Sequence, residues 1–252
     1  MRKLNWLLLL AIPLVLFSCK KDKTKVAAEA GTVNFKVNNV VGTALLELTG
    51  TTYLNAHGDS FTVTRYAYYL SNFEFVDENN KTYKAPETYF LIDESDDASK
   101  SFSIADIPAG KYTKMRLVLG VDSAKNMGGA QTGVLDPLVG MYWDWNTGYI
   151  MAKFEGFSPQ SGEPTKLLSF HLGGFGGQYS VLKTLEFDLP QPMLVEKGKS
   201  PTIKMESDVL KWFGGTPVLD FATTFSIMSL GREAYNFSER YKTHLSVKAL
   251  EN

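Results

Sequence analysis

The apolar residues of this chain come in short runs of period two, with turn residues between the runs. Val33, Phe35 and Val37 alternate with polar neighbours, as do Met115, Leu117, Leu119 and Val121, and later Leu185, Phe187 and Leu189. Alternation places successive side chains on opposite faces, so each run reads as a half-buried strand. Asn55-Ala56-His57-Gly58-Asp59, Asp77-Glu78-Asn79-Asn80-Lys81 and Pro108-Ala109-Gly110 are turns between such runs. Tyr66 to Val76 is the longest β-rich stretch. No long amphipathic helix separates the strands, which argues against parallel βαβ units. The expected fold is all-β: a mainly antiparallel β-sandwich with long loops and one or two short helices. Helical turns are expected at Asp136–Val139, after a Ser207-Asp208 cap through Phe213, and within 229–242, where Ala234, Phe237 and Tyr241 recur at spacings of three and four. The chain has a single cysteine, so no internal disulfide braces this fold and its core must hold it.

That cysteine is Cys19. Ahead of it stand Arg2 and Lys3, then an apolar run from Leu7 to Phe17 broken only by Pro13, then Ser18. The order is that of a signal peptide, and the run falls short of the roughly 20 apolar residues that span a bilayer. Leu16-Phe17-Ser18-Cys19 resembles a lipobox, in which the cysteine sulfur takes a diacylglycerol before the preceding peptide bond is cut. The expected division is a lipoprotein signal peptide at 1–18, an anchor and flexible tether at 19–31, and one β domain at 32–252. The expected location is the cell envelope, held to a membrane by lipid on Cys19. Lysine rather than aspartate after Cys19 favours, by analogy, the outer membrane. With 26 basic and 27 acidic side chains, and no basic stripe beyond the lysines of the tether, no nucleic-acid partner is expected.

Residues 122–148 break the alternation. They hold many glycines and two tryptophans, and a loop of this length with aromatics is commonly functional. The segment Leu135-Asp136-Pro137-Leu138-Val139-Gly140-Met141-Tyr142-Trp143-Asp144-Trp145-Asn146-Thr147-Gly148-Tyr149 runs on into Lys153-Phe154-Glu155-Gly156. Phe170-His171-Leu172-Gly173-Gly174 follows, and Tyr66 to Phe75 precedes it. Together these resemble the MbnP-like copper-binding family, related to the methanotroph copper protein MopE, over nearly the whole mature chain. The resemblance implies copper, bound in characterised members by two histidines and a tryptophan oxidised to kynurenine. Opening the indole ring exposes an aromatic amine able to donate to a metal, and imidazole and thioether also suit copper. It further implies a dihaem peroxidase-like partner that oxidises the tryptophan, and an outer-membrane receptor.

The expected metal ligands are accordingly His171, Trp143, Trp145, Met141 and His57. The chain departs from the family in its histidines, which are only His57, His171 and His244, none beside a tryptophan. Each candidate also has an ordinary structural role open to it: the tryptophans as packing under a loop, His171 as a hydrogen-bonded strand residue, His57 as an exposed turn residue, Met141 as core filler. Asp93, Glu94, Asp96 and Asp97 lack the spacing of a calcium loop and fit a solvated hairpin tip better. Gly173-Gly174-Phe175-Gly176-Gly177 lacks the lysine and helix of a phosphate loop. With no Gly-x-Ser-x-Gly and no thiol left after lipidation, the chain is expected not to be an enzyme. Copper capture or handover competes with a metal-free module that binds a ligand or protein through its aromatic loop.

Overall fold

A computed structural model describes residues 29–129, 131–144 and 146–252. The expected leader, Cys19, the expected tether through residue 28 and Trp145 lie outside the described residues. In chain order the strands are Ala30–Val41 (β1), Ala44–Leu45 (β2), Tyr53–Leu54 (β3), Ser60–Asp77 (β4), Thr82–Lys84 (β5), Tyr89–Asp93 (β6), Ser101–Pro108 (β7), Gly110–Leu119 (β8), Ile150–Phe157 (β9), Leu167–Gly173 (β10), Lys183–Val195 (β11), Thr202–Asp208 (β12), Ser226–Ile227 (β13) and Leu245–Glu251 (β14). The helices are Ser123–Met127 (α1), Leu210–Phe213 (α2) and Arg232–Tyr241 (α3). Strand dominates and the fold is the all-β sandwich expected. No helix among the described residues is long and apolar enough to cross a membrane.

The smaller sheet runs β14-β12-β1-β2, with β7 also on β1; the larger runs β11-β8-β4-β9-β10-β13, with β3, β5 and β6 also on β4. Most pairs are antiparallel, but β1 pairs with β12 in parallel, Phe35 opposite Ile203 and Val37 opposite Met205. Phe35 meets Phe73 of β4 edge-on at 5.1 Å between ring centroids, joining the two sheets. Strand β12 alternates buried and half-buried residues along its length, the pattern of a strand with one covered face. Strand β4 does not alternate: Tyr66 to Ser71 are all buried. Its residues read as a continuous run because both faces are covered. Tyr66 and Tyr68 point inward to Trp212 and His244, while Tyr69 points outward to Tyr149. Asn72, at φ 52°, marks the bulge that returns Phe73 and Phe75 to the interior. At the edge of the larger sheet, β11 carries Pro190 and Pro192 where its register with β8 breaks, the position in a sheet that tolerates proline.

The helices seal the interior. Phe237 of α3 stacks on Phe170 of β10 at 4.8 Å, and Trp212 of α2 lies 5.0 Å from Tyr241. Trp212 is fully buried and satisfies its ring N–H by donating to Tyr66 Oη at 3.0 Å. The expected turn near residue 136 is a 3-10 turn, Pro137–Val139, capped by the Asp136 carboxylate, which accepts from Leu138 N at 2.9 Å. The acidic segment at 93–100 is solvated at Asp96 and Asp97, as expected, but not at its start. Asp93 is buried and paired with Arg65 at 3.1 Å, and Glu94 with Lys100 at 2.9 Å.

Candidate functional site

The aromatic segment closes on itself as a hairpin. Ile150 N donates to Met141 O at 3.0 Å and Trp143 N to Gly148 O at 3.1 Å. Asp144 Oδ1 accepts from Asn146 N, Thr147 N and Thr147 Oγ1 at 2.7, 2.8 and 2.9 Å, which builds the turn at the tip. Gly148, at φ 76°, is held so close to Asn126 that an added Cβ would lie 2.3 Å from Asn126 Oδ1, so no other residue fits there.

This hairpin and the segment leading to it cover the outer face of the larger sheet. Tyr69 Oη donates to Val134 O at 2.8 Å and Tyr149 Oη to Leu135 O at 2.6 Å. Gly140 O accepts from Lys153 Nζ at 2.6 Å, and Val139 O from Arg65 Nη2 at 3.3 Å. Met141 is fully buried in this layer. Trp143 lies across Gly173: a Cβ there would fall 2.3 Å from the indole Cζ3. The glycine is what lets the indole seat itself on β10.

The register of four strands then sets a row of side chains beside the hairpin. Asp93, Ala67, Lys153 and His171 are consecutive partners across β6, β4, β9 and β10, with Arg65, Glu155 and Ser169 in the row below. Partners across antiparallel strands share a face, so residues up to 106 positions apart in the chain meet here. His171 is buried, with Nε2 2.7 Å from Glu155 Oε1. Burial first, then the Lys153 ammonium, hold its pKa below the ordinary histidine value, against an upward pull from Glu155. The ring is therefore neutral at neutral pH. A neutral imidazole bonded to a carboxylate through Nε2 carries its proton there and leaves the lone pair on Nδ1. Burial likewise lowers the Lys153 pKa.

The three histidines do not converge. His57, in the β3–β4 turn, places Nδ1 3.1 Å from Asp59 Oδ1. His244 is buried in the interior, 5.0 Å from Tyr68 between ring centroids, with Nδ1 donating to Tyr241 O at 2.6 Å and Nε2 unpartnered. Of the residues singled out in the sequence, Trp143 and His171 thus share one face, Met141 lies under it, His57 stands apart, and Trp145 is not described. The sequence did not single out Arg65; it offered Asp93 only within an acidic loop and Lys153 only within the family pattern, and placed none of the three beside His171. Next to the hairpin, a cleft of about 510 Å³ runs between Asn146, Phe175, Tyr179 and Leu230, floored by Gly174 and Gly176.

No curated protein matches the chain. A solved structure, MbnP from Methylosinus trichosporium, is 16% identical, with a TM-score of 0.46, covering 77% of this chain and 83% of that one. The family model described as MbnP matches residues 30–229, the span that holds both sheets' central strands, the hairpin and the His171 row, and the chain belongs to the MbnP family.

Proposed function

We propose that this chain is a lipid-anchored protein of the cell envelope that captures or hands over copper at the outer face of its larger sheet. The observation that carries this reading is His171. Its Nε2 is held by Glu155 and its Nδ1 lone pair is left to donate, the carboxylate–imidazole arrangement that commonly orients a metal-ligating histidine. The fit is partial. The described residues supply one imidazole here, and His57 and His244 stand elsewhere, so the second imidazole that the resemblance calls for is missing from this face. The further donor that the resemblance supplies is an oxidised tryptophan, and among the described residues Trp143, seated on Gly173 of the strand that carries His171, is the candidate. Lys153 and Arg65 beside His171 repel a bound cation, and repel Cu(I) less than Cu(II). When bound, copper would supply the family's capture chemistry. The residues here orient His171, keep it neutral and hold the hairpin against it.

Anchoring rests on Cys19, and a dihaem peroxidase-like partner would oxidise the tryptophan. Two measurements test the proposal. The chain purified after expression beside that partner should carry copper and a kynurenine mass shift, and His171→Ala should lose copper. Cys19→Ala should release the chain from membranes. A second reading, a metal-free binding module, is favoured by the cleft beside the hairpin. A metal-free chain with unmodified tryptophans would put that reading in place of copper.

A further inference from the structure

We propose a second metal site, separate from the hairpin, at His57, Asp59 and Asp220, which would take a divalent cation of borderline hardness such as Zn²⁺. One imidazole nitrogen and two carboxylate oxygens from these residues lie within 4.8 Å of one another. On a tetrahedral ion with bonds of about 2.0–2.2 Å, donors stand roughly 3.3–3.6 Å apart. His57 Nδ1 and Asp59 Oδ1, at 3.1 Å, are already close to that, and Asp220 needs to approach by only about 1 Å.

The donors are held in advance. Asn55 Oδ1 accepts from both His57 N and Asp59 N at 2.9 Å. Asp59 is buried, and its Oδ2 accepts from Phe221 N at 3.0 Å. That bond ties the β3–β4 turn to the loop that carries Asp220. Asp220 Oδ1 accepts from Ala222 N at 2.7 Å, which leaves its second oxygen to turn toward the site. Charge points the same way. Among the described residues neither carboxylate has a lysine or arginine within ion-pair distance; the imidazole is the one basic partner of Asp59. Against its burial, Asp59 is held in its charged form by the bonds from Phe221 N and His57, so two carboxylates that no lysine or arginine neutralises stand ready to attract a cation. The mix of one nitrogen and two oxygens favours Zn²⁺ over Ca²⁺, which takes six to eight oxygens. The half-exposed His57 ring leaves a fourth position open to water.

The test is calorimetric titration of the metal-stripped full chain with Zn²⁺, with Ca²⁺ as comparison. The parent should bind one Zn²⁺ per chain and melt at a higher temperature with it. His57→Ala and Asp220→Asn should each weaken binding by about tenfold or more while melting like the metal-free parent. Neither side chain supports the core, so folding survives both changes; Asp59 is left intact because it bonds the backbone of Phe221. His171→Ala should bind Zn²⁺ as the parent does, which separates this site from the proposed copper face. Absence of stoichiometric Zn²⁺ binding, undiminished binding by His57→Ala, or Ca²⁺ binding as tight as Zn²⁺ would overturn the proposal.

Discussion

His171 shows how one residue's chemistry depends on neighbours far away in the chain. Burial and the Lys153 ammonium favour its neutral form; the Glu155 carboxylate favours the protonated one. Removing each neighbour should therefore move its titration in opposite directions. Glu155→Gln should lower the imidazole midpoint, because the ring loses its anionic partner. Lys153→Met should raise it, because a nearby positive charge is gone. Imidazole resonances followed by NMR against pH give both midpoints, and a shift of the same sign in the two variants would show that the pairing is not as described. The sequence made His171 a candidate but gave no sign of the row it occupies. Lys153 and Glu155 are two residues apart and so share a face, as their spacing foretells. Arg65 and Asp93 join them only through strand register, which local pattern does not determine.

At the scale of the element, the hairpin from Met141 to Ile150 is held by what lies under it. Gly173 is the seat of Trp143, and a methyl group there would stand 2.3 Å from Cζ3 and 2.9 Å from Cη2 of the indole. Such an approach is well inside van der Waals contact, so the ring must leave. Gly173→Ala should move Trp143 toward solvent, shift tryptophan emission to longer wavelength, and cost about 1–3 kcal/mol, as overpacking generally does. Gly176→Ala is the control three residues on: nothing lies within 4 Å of its added Cβ, and its emission and stability should match the parent. If Gly173→Ala leaves the emission unchanged, the indole does not sit where described. The hairpin's existence was only half legible. Glycines and aromatics set residues 122–148 apart from the strands, but the segment read as a loop because its pairing is brief, from Met141 to Gly148, and its apolar side chains serve a cover rather than a strand face. Met141, legible as either ligand or filler, lies fully buried beneath that cover.

For the whole molecule, the sandwich was legible because most of its strands alternate, as β8 and β12 do. Its wiring was not. The parallel pair β1–β12 joins Asn34 to Thr202 and Val40 to Asp208, a contact no local pattern encodes, and β4 hid its two covered faces in an unbroken apolar run. The same interior makes acid stability a property of the fold through His244. The ring is buried against Tyr68, Trp212 and Tyr241, and burial lowers its pKa from 6.5 to about 4. The unfolded chain therefore takes up this proton near pH 6.5, whereas the folded chain does so only near pH 4. Above pH 6.5 the ring is neutral in both states and costs nothing. As pH falls from 6.5 toward 4, only the unfolded state gains a proton, so the folded state loses about 1.4 kcal/mol per pH unit, roughly 3 kcal/mol across the window. Below pH 4 the loss levels off. Asp59 and Asp122, whose pKa values are lowered, act instead below about pH 4, where the unfolded chain's carboxylates begin to protonate. His244→Phe keeps an aromatic ring and leaves Tyr241 O its bond from the residue 244 backbone N–H, but removes the titration. Urea unfolding at steps from pH 7.5 to 4.5 should show the parent losing stability faster than His244→Phe, with the gap opening only below about pH 6.5. Parallel curves for the two proteins across that range would mean that His244 does not carry the acid sensitivity of the fold.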